Sequence, residues 1–439
     1  MVNSDVMSAL ASRWPENKIN PSLDRIKLLL DYLGNPQDGL KAIHIAGTNG
    51  KTSTSRMIER LLRSLDLRTG LYTSPHLVHP RERISIDGEP ISVKNFEEVF
   101  NQVEPFLEIV DEKIPGGSVT FFEVLTAMAF VSFSDTPVDV ISLEVGMGGR
   151  WDATNVLTPM VSVITPIDLD HQEYLGNTVE KIALEKTGII KENIPVIVSN
   201  QSKDAAKIIL AKAIENNSPI MREGIELDVL ERSVGIGGQQ LTIANPYGTH
   251  SELFLPLFGK HQASNAAVSL TAVEAFLDRQ IDHDLVQEAF AEFSSPGRLQ
   301  VLKRNPTIVI DAAHNPAGIK ATKQGITESF QFDNLILILA FMGDKDVNQI
   351  LEELKGFAQV VILTQTNSAR ALSVVDLAKK VKNISQFATR IESSDNSSEA
   401  IKLAIDIAKD LGNSAGIIAL GSVVLAGEIG LLIKGGLNK

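Results

Sequence analysis

Residues 42–53 read Ala42-Ile43-His44-Ile45-Ala46-Gly47-Thr48-Asn49-Gly50-Lys51-Thr52-Ser53. Five strand-forming residues run into a glycine-bearing turn, and a helical pattern over Lys51–Leu65 starts at once. Glycines let the backbone curl so that successive amides face an anion, and the helix N-terminus adds its partial positive charge. In such a loop Lys51 reaches the β/γ-phosphates of a nucleotide, and the hydroxyl of Thr52 or Ser53 reaches Mg²⁺. The eight-residue form of the motif would need glycine at position 45, where Ile45 stands, so the match is to a shorter variant. A glycine-rich turn alone is usually only a turn. Strand before, helix after and lysine in register predict nucleotide binding by Gly47, Thr48, Asn49, Gly50, Lys51, Thr52 and Ser53.

On either side of this loop, apolar β-rich runs alternate with amphipathic helical runs. Strands are expected at 42–46, 69–73, 138–145, 160–165, 195–199, 307–311, 335–340, 360–364 and 416–421. Most are unbroken Val/Ile/Leu runs, as in a parallel sheet covered on both faces. Helices are expected at 51–65, 95–111, 121–134, 179–190, 205–216, 262–277, 317–330 and 397–409. This is the doubly wound α/β pattern. Residues 223–256 differ, with alternation and turn dipeptides that predict a small antiparallel hairpin or meander. Ser294-Ser295-Pro296-Gly297 is the expected boundary between a P-loop domain, 1–296, and a smaller Rossmann-like α/β domain, 297–439.

The chain has 439 residues, room for two or three domains. Its net charge of −13 disfavours broad nucleic-acid binding, which runs on phosphate neutralisation. It contains no cysteine, which removes disulfides, thiolate metal sites and thiol nucleophiles together. Neither a leader nor a membrane-spanning run is read from the sequence. The expectation is a cytoplasmic monomer with small-molecule partners and neither nucleic acid nor membrane among them.

Further motifs follow in order: Ile19-Asn20-Pro21-Ser22, Thr73-Ser74-Pro75-His76-Leu77, Glu82-Arg83-Ile84 and Thr120-Phe121-Phe122-Glu123. Then come Glu144-Val145-Gly146-Met147-Gly148-Gly149-Arg150-Trp151-Asp152-Ala153-Thr154-Asn155, Asp170-His171 and Glu185-Lys186-Thr187-Gly188. His261-Gln262-Ala263-Ser264-Asn265, Pro296-Gly297-Arg298, Asp311-Ala312-Ala313-His314-Asn315-Pro316 and Asp344-Lys345-Asp346 complete the set. The loop resembles that of the Mur-ligase superfamily, and the whole set resembles its folylpolyglutamate synthase/dihydrofolate synthase branch across nearly the entire chain.

The resemblance implies an ATP- and Mg²⁺-dependent ligase. ATP phosphorylates the carboxylate of dihydropteroate or a reduced folate, and the amine of L-glutamate attacks the acyl phosphate. By the same resemblance Ser74, Glu144 and His171 match magnesium ligands. Glu144, ending an apolar strand, suits that role on its own chemistry; a lone His171 would ordinarily be a loop residue. Lys186 matches a lysine that is carbamylated in related ligases, although on its own it reads equally as a solvated partner of Glu185. Arg83 would hold the substrate carboxylate or acyl phosphate. Ile19, Asn20, Pro21, Ser22, Thr120, Phe121, Phe122, Glu123, Trp151, Asp152 and Ala153 match the pterin side. Phe122 offers an aromatic face and Asp152 an acceptor, while Phe122 taken alone would be core. Asn265 matches an adenine contact, and Arg298 and Asp311 match phosphate and ribose contacts. His314 joins Lys51, Arg83 and Lys186 as a catalytic candidate and, with Ser422, as a candidate for the glutamate site. A monovalent cation is a further cofactor the family leaves open.

The chain departs from the family pattern at three places, and more mildly at Gln300 and Val423-Val424. Thr52 stands where glycine commonly follows the loop lysine, Trp151 where leucine is usual, and Thr187 where alanine is usual. Alternatives are a folylpolyglutamate synthase alone, a cell-wall Mur ligase acting on a UDP-linked substrate, and a non-catalytic nucleotide-binding module.

Overall fold

The computed structural model describes residues 2–15, 21–114, 117–412 and 414–436. Ile19 and Asn20 of the expected pterin site lie outside the described residues.

Among the described residues, eleven strands precede residue 260: β1 (Ala42–Ala46), β2 (Thr69–Tyr72), β3 (Ile84–Ile86), β4 (Glu89–Pro90), β5 (Val140–Glu144), β6 (Val161–Ile164), β7 (Val196–Val198), β8 (Ile220–Arg222), β9 (Asp228–Gly235), β10 (Gly238–Asn245) and β11 (Gly248–Leu255). The first eight form one sheet in the order β4-β3-β2-β5-β1-β6-β7-β8. It is parallel from β2 to β8, with β3 and β4 added antiparallel at one edge. Every residue of β1, β5 and β6 is buried. That explains their unalternating apolar sequence, since helices cover both faces. Full burial of an isoleucine such as Ile43 or Ile45 stabilises the fold by about 1.5–3 kcal/mol.

β1 lies between β5 and β6, with Ile45 abreast of Glu144 and Ala46 abreast of Ile164. The chain leaves β1 for one side of the sheet and later returns to the other. The loops after β1, β2, β5 and β6 therefore leave the same, C-terminal edge of the sheet, where open α/β sheets bind ligands.

The expected helix over 95–111 is broken into Val93–Val103, a 3₁₀ turn Glu104–Phe106 and Leu107–Lys113. Pro105 accounts for the break, because it has no N–H to continue the helical ladder. The expected helix over 179–190 stops at Lys186 and tightens into a 3₁₀ turn at Thr187–Ile189. β9, β10 and β11 form a separate three-stranded sheet in the order β11-β10-β9. Two-residue connections at 236–237 and 246–247 make consecutive strands antiparallel. The expected meander is thus three strands of eight residues each.

The later strands are β12 (Gln300–Arg304), β13 (Thr307–Ile310), β14 (Asn334–Leu339), β15 (Val360–Leu363), β16 (Arg390–Ser393) and β17 (Ala415–Leu420). They form a second sheet, β12-β13-β17-β14-β15-β16, parallel except for β12. By backbone proximity, one compact unit comprises 1–232, 241–254 and 263–293. The other comprises 233–240, 255–262 and 294–439.

Candidate active site

Gly50 caps the helix Lys51–Arg63 in the left-handed region, φ 87°, and a Cβ there would stand 2.6 Å from Asn265 Oδ1. A Cβ on Gly47 would fall 1.8 Å from Thr165 Oγ1. Both glycines are therefore demanded by close neighbours as well as by the turn. The Thr48 and Asn49 amides donate to the Pro166 carbonyl at 2.9 and 3.2 Å. The Thr48 hydroxyl donates to the Asp168 carbonyl at 3.0 Å and receives the Asp168 amide at 3.1 Å. Two of the amides that the sequence offers to an anion are thus committed to the segment after β6. The amides at the start of the helix, which have no carbonyl one turn earlier in the helix, carry the anion-binding geometry.

At the end of β5, Glu144 is 1% exposed. Its carboxylate accepts the Thr52 hydroxyl at 2.8 Å on one oxygen and the Ser74 amide at 3.1 Å on the other. Ser53, the alternative hydroxyl, is buried. His171 stands in the left-handed region (φ 49°) ahead of the short helix Gln172–Leu175, with its Nε2 3.9 Å from the Asp170 carboxylate. Among the described residues, no three His, Cys, Asp or Glu side chains gather as metal ligands.

Lys51 Nζ donates to the Gly47 and Thr48 carbonyls at 3.0 and 3.2 Å. Lys186 Nζ donates to the same Gly47 carbonyl at 2.7 Å. Burial first, and then the charge of Lys51, bring the Lys186 ammonium from 10.5 down to about 7, while Asp170 and Asp152 push the other way. Lys186 is therefore a buried amine beneath the loop and not a solvated surface lysine. Its helix is pressed against the turn after β5: a Cβ on Gly149 would lie 2.7 Å from the Lys186 carbonyl, and one on Gly188 2.4 Å from Arg150 Cα.

Arg83 is buried. Its Nε donates to His76 Nδ1 at 2.9 Å and its guanidinium lies 5.4 Å over the Phe121 ring. Burial, then Arg83 and His79, hold the His76 imidazole down at about 3, so it accepts this bond as a neutral ring. Phe122 lies against Tyr72, with ring centroids 5.9 Å apart, and a Cβ on Gly146 would meet its ring at 2.5 Å. Thr120 and Glu123 form a capping box at the start of the helix Phe121–Asp135. The Glu123 carboxylate also takes Arg25 Nε at 3.1 Å in a buried ion pair. Among the expected pterin-side residues, Thr120 and Glu123 thus hold the helix that presents Phe121 and Phe122.

Asp152 and Ala153 are buried beside Trp151, which is half exposed. Asp152 accepts the amides of Met147 at 2.9 Å and Thr154 at 3.0 Å. Burial raises its pKa, and these hydrogen bonds partly counter that. Pro21 is exposed, and Ser22 hydrogen-bonds Asp24 at 2.8 Å at the start of the helix Asp24–Tyr32. Asn265 is buried.

In the second unit, Asp311 at the end of β13 accepts the Leu299 amide at 2.8 Å, the Ala313 amide at 2.9 Å and the Thr322 hydroxyl at 2.9 Å. These bonds tie down the Pro296–Leu299 turn, which carries the half-buried Arg298. His314 Nδ1 is 2.9 Å from the Ala312 carbonyl, so Nδ1 bears a proton and donates. Ser422 is buried and caps the helix Val423–Lys434.

The sequence left three participants without a role: His76, Asp170 and Arg25. Each sits in or next to a quoted motif, but no local pattern marks its partner, which is Arg83 for His76 and Glu123, 98 residues away, for Arg25.

The chain matches the model of the Mur ligase middle domain over residues 45–273 and that of the Mur ligase glutamate ligase domain over 297–423. It is 43% identical to the dihydrofolate synthase/folylpolyglutamate synthase of Mycobacterium tuberculosis, covering 95% of this chain and 91% of that one. With the dihydrofolate synthase/folylpolyglutamate synthase of Bacillus subtilis it shares 31% identity, covering 95% and 96%. The crystal structure of the M. tuberculosis folylpolyglutamate synthase complexed with ADP and AMPPCP superimposes with a TM-score of 0.93 at 42% identity, covering 98% of this chain and 97% of that one. Among the described residues no helix is long and apolar enough to cross a membrane. The chain belongs to the dihydrofolate synthase/folylpolyglutamate synthase family of Mur ligases.

Proposed function

We propose that this protein is an ATP-dependent ligase that adds L-glutamate to dihydropteroate, forming dihydrofolate, and to folate mono- and polyglutamates. The observation that carries this reading is the meeting of Glu144 with the Thr52 hydroxyl at 2.8 Å, one strand across from the phosphate loop. The Glu144 carboxylate and the Thr52 hydroxyl at the start of the loop helix are oxygen donors, which fit Mg²⁺. Thr52 and Glu144 would hold the ion, with Ser74 and His171 as the further ligands the family implies. Bound there, Mg²⁺ neutralises charge between the γ-phosphoryl group and the incoming carboxylate.

The remaining chemistry belongs to the chain and the substrates. The helix N-terminus and Lys51 hold the β- and γ-phosphates of ATP. Arg83, fixed by His76 and Phe121, holds the substrate carboxylate while its oxygen attacks the γ-phosphorus and ADP leaves. The glutamate amine then attacks the acyl carbon, loses a proton, and phosphate departs as the amide forms. No protein nucleophile is required, in keeping with a chain that has no cysteine. Phe122 and Asp152 take the pterin, with Trp151 and Ala153 beside them and Pro21 and Ser22 contributing from the N-terminal segment. Asn265 takes the adenine, Asp311 the ribose and Arg298 a phosphate. His314 and Ser422 serve the glutamate. Lys186, an amine whose pKa burial lowers to about 7, is suited to carbamylation by CO₂, which would turn it into a carboxylate. The working assignment keeps residues 1–296 for nucleotide and pterin and 297–439 for ligation, in a cytoplasmic monomer.

The test supplies ATP, Mg²⁺ and L-glutamate with dihydropteroate, a reduced folate monoglutamate or a UDP-muramoyl peptide, and reads phosphate release and product mass. Turnover of both pteroyl substrates is expected. Turnover of the folate alone would restrict the protein to polyglutamylation, and turnover of only the muramoyl peptide would overturn the reading.

A further inference from the structure

His44 lies in the middle of β1, the central strand that leads into the phosphate loop, and is 0% exposed. An imidazole there is costly. Burial, with a smaller contribution from Lys191, holds its pKa at about 3, so the ring is neutral. Its Nδ1 is buried with no hydrogen-bond partner, a loss that an aliphatic side chain would not incur. The other four residues of β1 are apolar. A residue that breaks the rule of its own strand calls for a role at a site.

Its single hydrogen bond supplies one. His44 Nε2 is 2.9 Å from Thr154 Oγ1, and Thr154 Oγ1 is 2.5 Å from Asp152 Oδ1. A threonine hydroxyl has one proton. Toward a carboxylate it must donate, so from His44 it must accept. This order places the proton of His44 on Nε2, and the chain of bonds runs one way, from imidazole to hydroxyl to carboxylate. Asp152 Oδ1 receives both the Thr154 hydroxyl and the Thr154 amide, while Oδ2 receives the Met147 amide. The carboxylate plane is thereby fixed, with the Gly146 amide as a further backbone donor.

We infer that His44 is a positioning residue for the pteroyl substrate: acting through Thr154, it aims the Asp152 carboxylate at the N–H donors of the substrate's heterocycle. This inference rests on the placement of the pterin at Asp152 proposed above. It also joins the strand that bears the nucleotide loop to the loop that bears the pterin acceptor, so one backbone element sets both.

The experiment compares wild type, His44→Leu, His44→Gln, Thr154→Val, the Leu/Val double variant and Asp152→Asn. KM for dihydropteroate or reduced folate is measured at saturating ATP, KM for ATP at saturating folate, and the thermal midpoint for each. His44→Leu and Thr154→Val are each expected to raise the pteroyl KM on the order of tenfold, about 1.4 kcal/mol. KM for ATP and kcat should stay within about twofold, and the double variant should be no worse than either single one. His44→Gln, which keeps an N–H donor at the end of its side chain, should recover most of the loss. Equal rises in both KM values, a fall in thermal midpoint with no change in pteroyl KM, or failure of glutamine to rescue would each overturn the inference. Thr154→Val gives the same test if His44→Leu does not fold. If Asp152→Asn leaves the pteroyl KM unchanged in an enzyme that turns over pteroyl substrates, the pterin placement fails, and the role of His44 with it. If wild type turns over no pteroyl substrate, the functional reading itself is what has failed.

Discussion

Lys186 and Lys51 donate to a single carbonyl, that of Gly47, at 2.7 and 3.0 Å. Burial, and after it the charge of Lys51 on the same oxygen, disfavours the Lys186 ammonium, and its pKa falls to about 7. Between about 7 and the ordinary 10.5, the unfolded chain binds a proton here that the folded chain does not. Stability from this group therefore rises with pH across that window and is lowest below it. In bicarbonate-free buffer, Lys186→Met should show a flatter pH dependence of its urea midpoint over that range than wild type. Parallel curves for the two proteins would contradict the assignment.

The same depressed pKa leaves a large neutral fraction at pH 8, the form that adds CO₂. Native mass spectrometry in bicarbonate should show a gain equal to one CO₂, absent from Lys186→Met. Full activity of wild type without that gain would remove carbamylation from the mechanism.

Thr52 and Ser53 are adjacent hydroxyls, and only Thr52 is seen bonded to Glu144. Thr52→Val and Glu144→Gln are expected to raise the Mg²⁺ concentration for half-maximal turnover by about 10–100-fold. Ser53→Ala should raise it far less. A magnesium titration of phosphate release in which Ser53→Ala is the worst of the three would transfer the role to Ser53.

Lys51→Ala should lower kcat by about 10²–10³-fold, since it removes a cation from the phosphate that is being transferred. Its thermal midpoint should stay close to that of wild type, because Lys51 is partly exposed and its bonds run to carbonyls of its own loop. Near-normal kcat would remove Lys51 from phosphate positioning.

Gly149 and Gly188 are where two backbones press together. A methyl group at either would lie within 2.4–2.8 Å of main-chain atoms. Gly149→Ala and Gly188→Ala should each cost about 1–3 kcal/mol in chemical denaturation, because neither segment can retreat without moving the other. Gly224→Ala is the control for crowding, since a Cβ there would meet nothing within 4 Å, although its φ of 83° still disfavours alanine. A loss at Gly149 and Gly188 no larger than at Gly224 would show that the backbones give way.

β1 and the start of the following helix were legible to the residue, because an apolar run, two glycines and a lysine each report local geometry. The doubly wound class was legible for the same reason. The edge strands β12 and β16 were not, since Gln300–Arg304 and Arg390–Ser393 are polar and partly exposed, with no buried face to impose a pattern. The helices Val374–Lys382 and Val423–Lys434 lie outside the expected helical runs. At the site, residue types were readable and partnerships were not. Nothing local says that Arg83 meets His76, that Lys186 meets Gly47, or that Glu123 is taken by Arg25 from 98 residues away. The Lys186 pairing is a product of the sheet order, which brings separate loops to one edge, whereas Arg83 and His76 meet within a single connection.

The bonds from Thr48 and Asn49 to Pro166 and Asp168 bear on the thermodynamics of nucleotide capture. A flexible glycine loop must be ordered when its ligand arrives, at about 1–2 kcal/mol of backbone entropy for each residue fixed. Here that ordering is already complete once β6 is in place, so the folding reaction has absorbed it. The loop meets ATP as a finished mould. Its affinity is then set by what the phosphates touch, and association needs no rearrangement of the loop.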